Sequence, residues 1–236
     1  MDKSVKKILA IIPARGGSKG VKRKNIRSVG NKPLIYWSIK AAQSSTLITS
    51  YIVSTDDAEI KMVAESFGAS VLDRETKLAE DKTPMLPVLQ DVCLNIERKQ
   101  NVTFDAILLL QPTAPMRTEK DIDSAIELFL SDSENSSLVS VYQVDDCHPS
   151  RMYRISENCL EKIYEEPKGS LRQDLEPIYH RNGAMYICSR DLLIKENKLV
   201  CDKPIPFIMS KESSANIDDE QDLLIADFLM KKRIEQ

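Results

Sequence analysis

The chain has 236 residues, enough for one large domain, and its 42 % hydrophobic and 29 % charged residues describe an ordinary globular protein rather than a disordered one. Lys plus Arg number 33 and Asp plus Glu 36, a net charge of −3 with no basic run, which argues against nucleic acid as the main partner. Apolar runs such as Ala106 to Leu110 fall far below the roughly 18 residues of a membrane helix, and the apolar start at Ile8 to Pro13 is too short for a signal-peptide core. A cytoplasmic protein with no membrane partner is therefore expected. Five widely spaced cysteines without a C-x-x-C pair argue against a disulfide scaffold or a thiolate zinc site, and two histidines exclude a three-histidine metal site. What remains is metabolite chemistry.

Ile8 to Pro13 is a continuous apolar run, the pattern of a strand buried on both faces. A polar, glycine-bearing, cationic loop runs from Arg15 to Asn31, and Pro33 to Ala42 reads as a helix with Pro33 in its first turn. Ser50 to Thr55 predicts a strand, and Asp57 to Phe67 a helix stopped by Gly68. A short strand is expected at Ala69 to Leu72, a helix at Pro84 to Lys99, a central strand at Asp105 to Leu110, a helix at Glu119 to Leu130 and a strand at Ser137 to Val144. Strands alternating with helices at this spacing predict an α/β fold, a mostly parallel sheet covered by helices on both faces. Ligands in such sheets sit at the carboxyl ends of the strands, which directs attention to the loops after Pro13, Thr55, Leu110 and Val144. From Asp145 to Arg181 the rhythm changes: the segment is polar, holds both histidines and is strand-like only in short pieces such as Leu160 to Tyr164. It reads as an insertion or subunit-contact arm within a single domain over 1–236. Ala184 to Cys188 resumes a strand, and Asp219 to Lys232 is an amphipathic closing helix.

Three constellations carry chemistry. The first is Pro13-Ala14-Arg15-Gly16-Gly17-Ser18-Lys19-Gly20-Val21-Lys22-Arg23-Lys24-Asn25. Its glycines let backbone N–H groups turn toward an anion while its cations neutralise phosphate, yet it matches neither the P-loop nor the G-x-G-x-x-G fingerprint. Such a loop after the first strand suits a nucleoside triphosphate held by its phosphates. The second is Leu110-Gln111-Pro112-Thr113-Ala114-Pro115-Met116-Arg117, whose prolines stiffen a turn that holds Gln111 and Thr113 at fixed geometry; a plain strand-to-helix turn explains the prolines but not Gln, Thr and Arg together. The third is Asn216-Ile217-Asp218, where residues two apart share a face of an extended segment and offer oxygens to Mg²⁺. Asp219, Glu220 and Asp222, just beyond, suit the first turn of a helix instead. Arg74 and Asp81 lie in a loop where they either reach a base or ribose or serve as surface charge. His148 and His180 read as structural and the cysteines as core fillers.

Ile11 to Gly20, Lys24-Asn25, Ser54-Thr55-Asp56, Leu78-Ala79, Leu109 to Arg117, Arg181 to Ile187 and Ile217-Asp218 occur in the same order as in acylneuraminate cytidylyltransferases. The chain resembles this family, the CMP-sialic acid synthetases and their legionaminic and pseudaminic relatives, over nearly its whole length. The resemblance implies a three-layer sheet like that of nucleotide-diphospho-sugar transferases and an enzyme that joins CTP to a nonulosonic acid, such as N-acetylneuraminate or diacetyllegionaminate, releasing pyrophosphate with Mg²⁺ or another divalent cation. On the matching positions, Arg15, Gly16, Gly17, Ser18, Lys19, Lys24 and Asn25 hold the nucleotide with Arg74 nearby, and Gln111, Pro112, Thr113 and Tyr186 face the sugar. Arg172 falls where the family places an arginine reaching into a partner's site, implying a homodimer assembled through the 145–181 arm. Arg15, Lys19, Lys24 and Asp218 are the implied catalytic set, and Asp218 and Asn216 the implied metal ligands.

Two departures stand out. The family's Asp-Ile-Asp reads Asn216-Ile217-Asp218 here, replacing one carboxylate by a neutral carbonyl oxygen. Paired phenylalanines that sialic acid enzymes place in the sugar pocket align with Leu199 and Val200, which suits a differently substituted sugar. In the implied reaction the anomeric hydroxyl attacks the α-phosphate, and its proton goes to Asp218 or to hydroxide on the cation. Two rivals are a sugar-1-phosphate nucleotidylyltransferase, which prefers another nucleotide and needs no sugar carboxylate, and a catalytically inactive CTP-binding regulator, motivated by Asn216.

Overall fold

A computed structural model of the chain describes residues 6–132, 136–144, 147–164 and 175–235. Its first half contains β1 (Ile8–Pro13), β2 (Ser28–Val29), β3 (Lys32–Pro33), α1 (Leu34–Ser44), β4 (Ser50–Thr55), α2 (Ala58–Ser66), β5 (Val71–Asp73), α3 (Met85–Gln100) and β6 (Ala106–Leu109). There follow α4 (Glu119–Ser131), β7 (Ser137–Gln143), β8 (Tyr153–Ser156), β9 (Cys159–Lys162), β10 (Tyr179–Ser189), α5 (Arg190–Ile194), β11 (Ile205–Ile208) and α6 (Glu220–Ile234).

The main sheet has seven strands in the order β11-β7-β10-β6-β1-β4-β5. β1 runs parallel to β4 on one side and β6 on the other, β5 parallel to β4, and β11 parallel to β7. β10 runs antiparallel to both its neighbours, β6 and β7. The apolar run of β1 shows why the fold has three layers. Side chains alternate across a strand, so Ile8, Ala10 and Ile12 enter the core under α1, α2 and α4, while Leu9 and Ile11 enter the core under α3 and α5. β6 repeats the division, with Ala106 and Leu108 on the first side and Ile107 and Leu109 on the second. A strand in the middle of such a sheet has no solvent face, and its sequence is apolar throughout.

A third, smaller core lies beyond the sheet. Val21 and Val29 from the cationic loop, Leu34, Met116, Ile217 and Leu223, Ala226 and Met230 of α6 bury one another there. It joins segments that are far apart in sequence and that all border the carboxyl edge of the sheet.

Helix starts follow their local chemistry. Asp57 caps α2 by accepting from the Glu59 and Ile60 amides, and Thr118 and Asp121 form a capping box on α4. Asp219 and Asp222 form another on α6, which accounts for the carboxylates after Asp218. Several elements go beyond the sequence expectations: α5, the edge strand β11, and the small ribbon of β2 with β3. Of the 145–181 segment, the described residues form a separate hairpin, β8 with β9, turning through Glu157 and Asn158 at positive φ. Tyr179, His180 and Arg181 at its end already belong to β10 and pair with β7.

Away from the carboxyl edge, Arg190 donates to both carboxylate oxygens of Glu97 at 2.7 and 2.9 Å, and Glu97 also accepts from the Phe104 amide at 3.0 Å. This pair ties α3 to the start of α5. Glu97 is buried, so removing the arginine alone leaves a carboxylate without its counter-ion. Arg190→Met is expected to lower unfolding stability by about 3 kcal/mol in urea titrations, the low end for a buried pair, while leaving ligand affinity unchanged.

Candidate functional site

Two cavities adjoin at the carboxyl ends of β1 and β6. β4 and β6 flank β1 on opposite sides, so the connections diverge here and leave a crevice between them. The first cavity, about 320 Å³, is walled by Pro13, Arg15, Ser18, Lys19, Gly20, Lys24, Asn25, Arg74, Met85, Gln111, Pro112, Thr113 and Asp218. The second, about 650 Å³, is walled by Gln111, Thr113, Tyr179, His180, Arg181, Asn182, Gly183, Tyr186, Asn216 and Asp218. Gln111, Thr113 and Asp218 belong to both, forming the partition across which two ligands would meet.

The first cavity is cationic. Arg15 and Lys19 reach the Asp81 carboxylate at 3.1 and 2.8 Å, and Arg15 also donates to the Glu80 carbonyl at 3.2 Å. Asp81 thus sits where it balances the loop, its carboxyl held below the usual range chiefly by Lys19. Arg74 is almost fully buried, donating to the Ser54 hydroxyl and carbonyl at 3.1 and 2.7 Å; burial brings its guanidinium down to about 10, with Asp56 opposing. Asn25 is buried too, its amide donating to the Arg15 carbonyl at 3.0 Å.

Lys24 is the most enclosed of the loop's lysines. Its ammonium donates to the Ile217 carbonyl at 2.6 Å and lies 3.9 Å from Asp218, and burial pushes it below the ordinary lysine value with Asp218 opposing. Ile217 is fully buried in the small third core, and its amide donates to the Thr113 carbonyl at 2.9 Å. One residue therefore links the phosphate-type loop, the β6–α4 turn and Asp218. Gly20 approaches the same segment so closely that a Cβ there would fall 1.9 Å from the Asp218 carbonyl oxygen. No other residue fits without moving Asp218.

The loop is clamped from behind. Arg23 adopts φ 58°, a left-handed conformation that a side-chain-bearing residue seldom takes. Its guanidinium donates to both oxygens of Asp57 and to Glu59. Asp57 so caps α2 and holds Arg23 at once, and Arg23 holds its carboxyl below the usual range. Gly16 sits against this carboxylate and donates its amide to Asp56 at 3.0 Å.

The structure distributes the residues expected from the sequence over the two cavities. Arg15, Ser18, Lys19, Lys24, Asn25, Arg74, Gln111, Pro112, Thr113 and Asp218 share the first cavity, and Gln111, Thr113, Tyr186, Asn216 and Asp218 the second. Gly16 and Gly17 stand outside both walls, and Arg172 lies outside the described residues. Leu199 packs against the core under α3, and neither it nor Val200 is part of the second wall. His148 binds Ser150 and the Glu176 carbonyl, a structural role. His180 meets Tyr142 edge-on and borders the second cavity. The sequence places Gly20 in the cationic loop and Asn182 and Gly183 in the Arg181 to Ile187 motif without a separate role for any of them, and Asp57 only at a helix start.

A divalent cation is compatible with this donor set. Among the described residues no three His, Cys, Asp or Glu side chains cluster to hold a metal by themselves. Asp218 is exposed at the partition with Asn216 donating to it at 2.7 Å, one carboxylate beside one amide. Mg²⁺ needs no more than one or two carboxylates when nucleotide phosphates complete its shell.

A three-layer α/β protein with a cationic loop at the switch of its sheet and a second cavity sharing its wall is built as a nucleotidyltransferase. Comparison with known proteins narrows this class: the cytidylyltransferase family pattern matches residues 9–199, and the chain belongs to that family. It is 35 % identical over 229 residues to a CMP-N,N′-diacetyllegionaminic acid synthase of Campylobacter jejuni, covering 94 % of each chain. An N-acylneuraminate cytidylyltransferase of Escherichia coli O18:K1:H7 is 32 % identical over 98 % of this chain, which spans 54 % of that relative's length. In fold, the chain resembles a CMP:2-keto-3-deoxy-manno-octonic acid synthetase solved with CTP, with a TM-score of 0.72 at 17 % identity, covering 96 % of this chain and 99 % of that one.

The depressed Asp57 carboxyl gives a pH test of the clamp. A carboxylate with a lowered folded pKa contributes stability above its unfolded value and loses it as pH falls through the folded one. Asp57→Asn retains a helix cap but loses the ion pair, so it is expected to be less stable than the parent by about 1 kcal/mol at neutral pH, the difference shrinking below about pH 4. Urea unfolding of both proteins across that range measures it.

Proposed function

We propose that this enzyme transfers CMP from CTP to the anomeric hydroxyl of a sialic-acid-like nonulosonic acid, N-acetylneuraminate or N,N′-diacetyllegionaminate, and releases pyrophosphate. The observation that carries the reading is the pair of cavities joined through Gln111, Thr113 and Asp218, one strongly cationic and one mainly polar. A triphosphate occupies the first and a polyhydroxylated sugar acid the second, with the reacting atoms at the partition. The relatives' names agree with this chemistry.

Arg15 and Lys19 exchange Asp81 for phosphate oxygens when the nucleotide arrives, and Lys24 delivers its charge from the enclosed side of the cavity. Both substrates are anions, so these charges remove a repulsion that would hold them apart. The hydroxyl oxygen bonds to the α-phosphorus as the bond from phosphorus to the pyrophosphate bridge breaks, and the electron pair leaves on pyrophosphate. Asp218, at the partition, takes the hydroxyl proton. Gln111 and Tyr186 orient the sugar. Asp218 and the Asn216 carbonyl would hold Mg²⁺ together with the triphosphate, where the cation screens the phosphate charge; the Asn216 amide must then turn away from its present bond to Asp218.

The site also has a proposed quaternary context: a cytoplasmic homodimer joined through the 145–181 arm, with Arg172 reaching the neighbouring site. The arm's hairpin supports this, since Met152, Tyr153, Ile155, Leu160, Ile163 and Tyr164 are all exposed large apolar side chains, an unusual concentration for a free surface. Ile155→Asp is expected to shift sedimentation from dimer to monomer; a parent that already sediments as a monomer contradicts the assembly.

Pyrophosphate release with CTP and Mg²⁺, compared across N-acetylneuraminate, N,N′-diacetyllegionaminate and pseudaminate, tests the reaction. Turnover on at least one is expected, with Asp218→Asn lowering kcat by about 100-fold or more. CTP binding without turnover on any of the three would leave an inactive nucleotide-binding protein. Preference for UTP, GTP or TTP with a sugar 1-phosphate would make it a different nucleotidylyltransferase.

A further inference from the structure

Arg117 closes the turn that carries Gln111, yet it lines neither cavity. It is 3 % exposed, and burial brings its guanidinium down to about 10. Among the described residues it forms no ion pair, and its Nε has no hydrogen-bond partner. The nearby carboxylate Asp121 is engaged with Thr118 in the capping box of α4. Placing a cation in a core without a counter-ion is expensive, and a core position alone would be better served by an apolar side chain of the same size. The explanation lies in what the guanidinium joins.

One terminal nitrogen, Nη1, donates both to the Gln111 carbonyl at 3.2 Å and to the Ala184 carbonyl at 2.6 Å; the other, Nη2, donates to the Ser38 hydroxyl of α1. Gln111 stands on one wall of the second cavity, and Ala184 follows Gly183 on the facing wall, inside β10. At that point β10 is irregular: its register with β7 shifts between Arg181 and Tyr186, and Gly183 takes φ +72°. The irregularity is pinned from its other side by buried Asn182, whose carbonyl oxygen accepts from Ser140 at 2.6 Å and from the Ala184 amide at 3.1 Å, and whose amide donates to Ser214 at 2.9 Å. Ala184 is therefore gripped at its amide by Asn182 and at its carbonyl by Arg117. The resulting gap is set to the width of a glycine, since a Cβ on Gly183 would lie 2.9 Å from the Gln111 side-chain oxygen.

Building on the transferase reading, we infer that Arg117 is a positioning residue that sets the spacing between Gln111 and the Gly183 bulge, and with it the fit of the sugar acid. A planar fork with several donors spans two carbonyls and a hydroxyl at fixed angles, which an ammonium or a thioether does not. The phosphate end of the first cavity is held by contacts that Arg117 does not make, Lys24 to the Ile217 carbonyl and Arg23 to Asp57, so its loss is expected to tell mainly on the sugar side.

Arg117→Met and Arg117→Lys, each beside the parent, test this with three readings: KM for whichever of the three nonulosonic acids the parent turns over, the dissociation constant for CTP by calorimetry, and amide hydrogen exchange of the free protein. The expected result for Arg117→Met is a sugar KM raised by about tenfold or more while CTP affinity stays within about twofold, with Arg117→Lys between it and the parent. Exchange is expected to quicken at Ala114, Ala184 and Met185 and to stay unchanged at Ile26 and Arg27 of the phosphate-side loop. A sugar KM equal to the parent's, or a parallel loss of CTP affinity from general damage, overturns the inference. If Arg117→Met does not fold, Arg117→Lys is judged by the same criteria. A parent that turns over none of the sugars sinks the transferase reading alone. The exchange pattern then decides the positioning role, quickening confined to the two walls supporting it and an unchanged or uniform pattern rejecting it.

Discussion

The burial of Ile217 is the constraint on which the site depends. Its side chain is fully enclosed in the small third core, a burial worth about 2–3 kcal/mol, and that anchors the short segment leading into α6. Its amide binds the turn after β6, its carbonyl receives the Lys24 ammonium, and the next residue is Asp218. A hydrophobic contact made by the residue next to Asp218 thereby brings three chain segments, almost two hundred residues apart at the extremes, to a common point. The closeness of Gly20 to the Asp218 carbonyl is the steric counterpart of the same arrangement.

Around that anchor the structure arranges its cations in two tiers. Arg15 and Lys19 pair with the exposed Asp81, whereas Arg74 and Lys24 are enclosed and hold backbone carbonyls. Exposed pairs of the first kind contribute little to stability and exchange partners readily. Enclosed cations of the second kind have little freedom to lose when an anion arrives, so they contribute order as well as charge. The strained Arg23 backbone and its Asp57 grip keep the two tiers in register.

Much of this was readable from the chain, and the limits have physical causes. β1 and β6 announce themselves because strands buried on both faces are apolar without interruption, while β4 and β7 show shorter apolar stretches, Ile52-Val53 and Leu138-Val139, set between serines. The loop from Arg15 to Asn25 was legible from its glycines and cations, and the turn at Gln111 to Arg117 because Gln, Thr and Arg together are more than a plain strand-to-helix connection needs. β11 escaped because it is an edge strand of four residues with Pro206 inside it, a place where proline is tolerated but where the local pattern argues against a strand. The beginning of β10 escaped because Tyr179, His180 and Arg181 are polar or exposed and look like the segment before them. Asp57 was recognised as a helix start, and nothing local reveals its second task, which depends on a loop more than thirty residues away. Arg117 drew notice as a residue a turn does not need, but only the folded chain shows that its partners lie on three different elements.

The reversed direction of β10 has a bearing on how this scaffold changes over evolution. In a purely parallel sheet, the ligand edge is built from connecting loops, and new selectivity arises through their insertions and deletions. Here one flank of the larger cavity is a strand, laced to β7 through Tyr179, His180 and Arg181 and resuming its ladder at Tyr186. Lengthening it would throw the rest of β10 out of step with β6 and β7 and turn its core-facing side chains outward. Where that ladder holds, diversification is confined to exchanging one side chain for another, and the bulge between Arg181 and Tyr186 is the place on this flank where a change of length leaves the pairing intact.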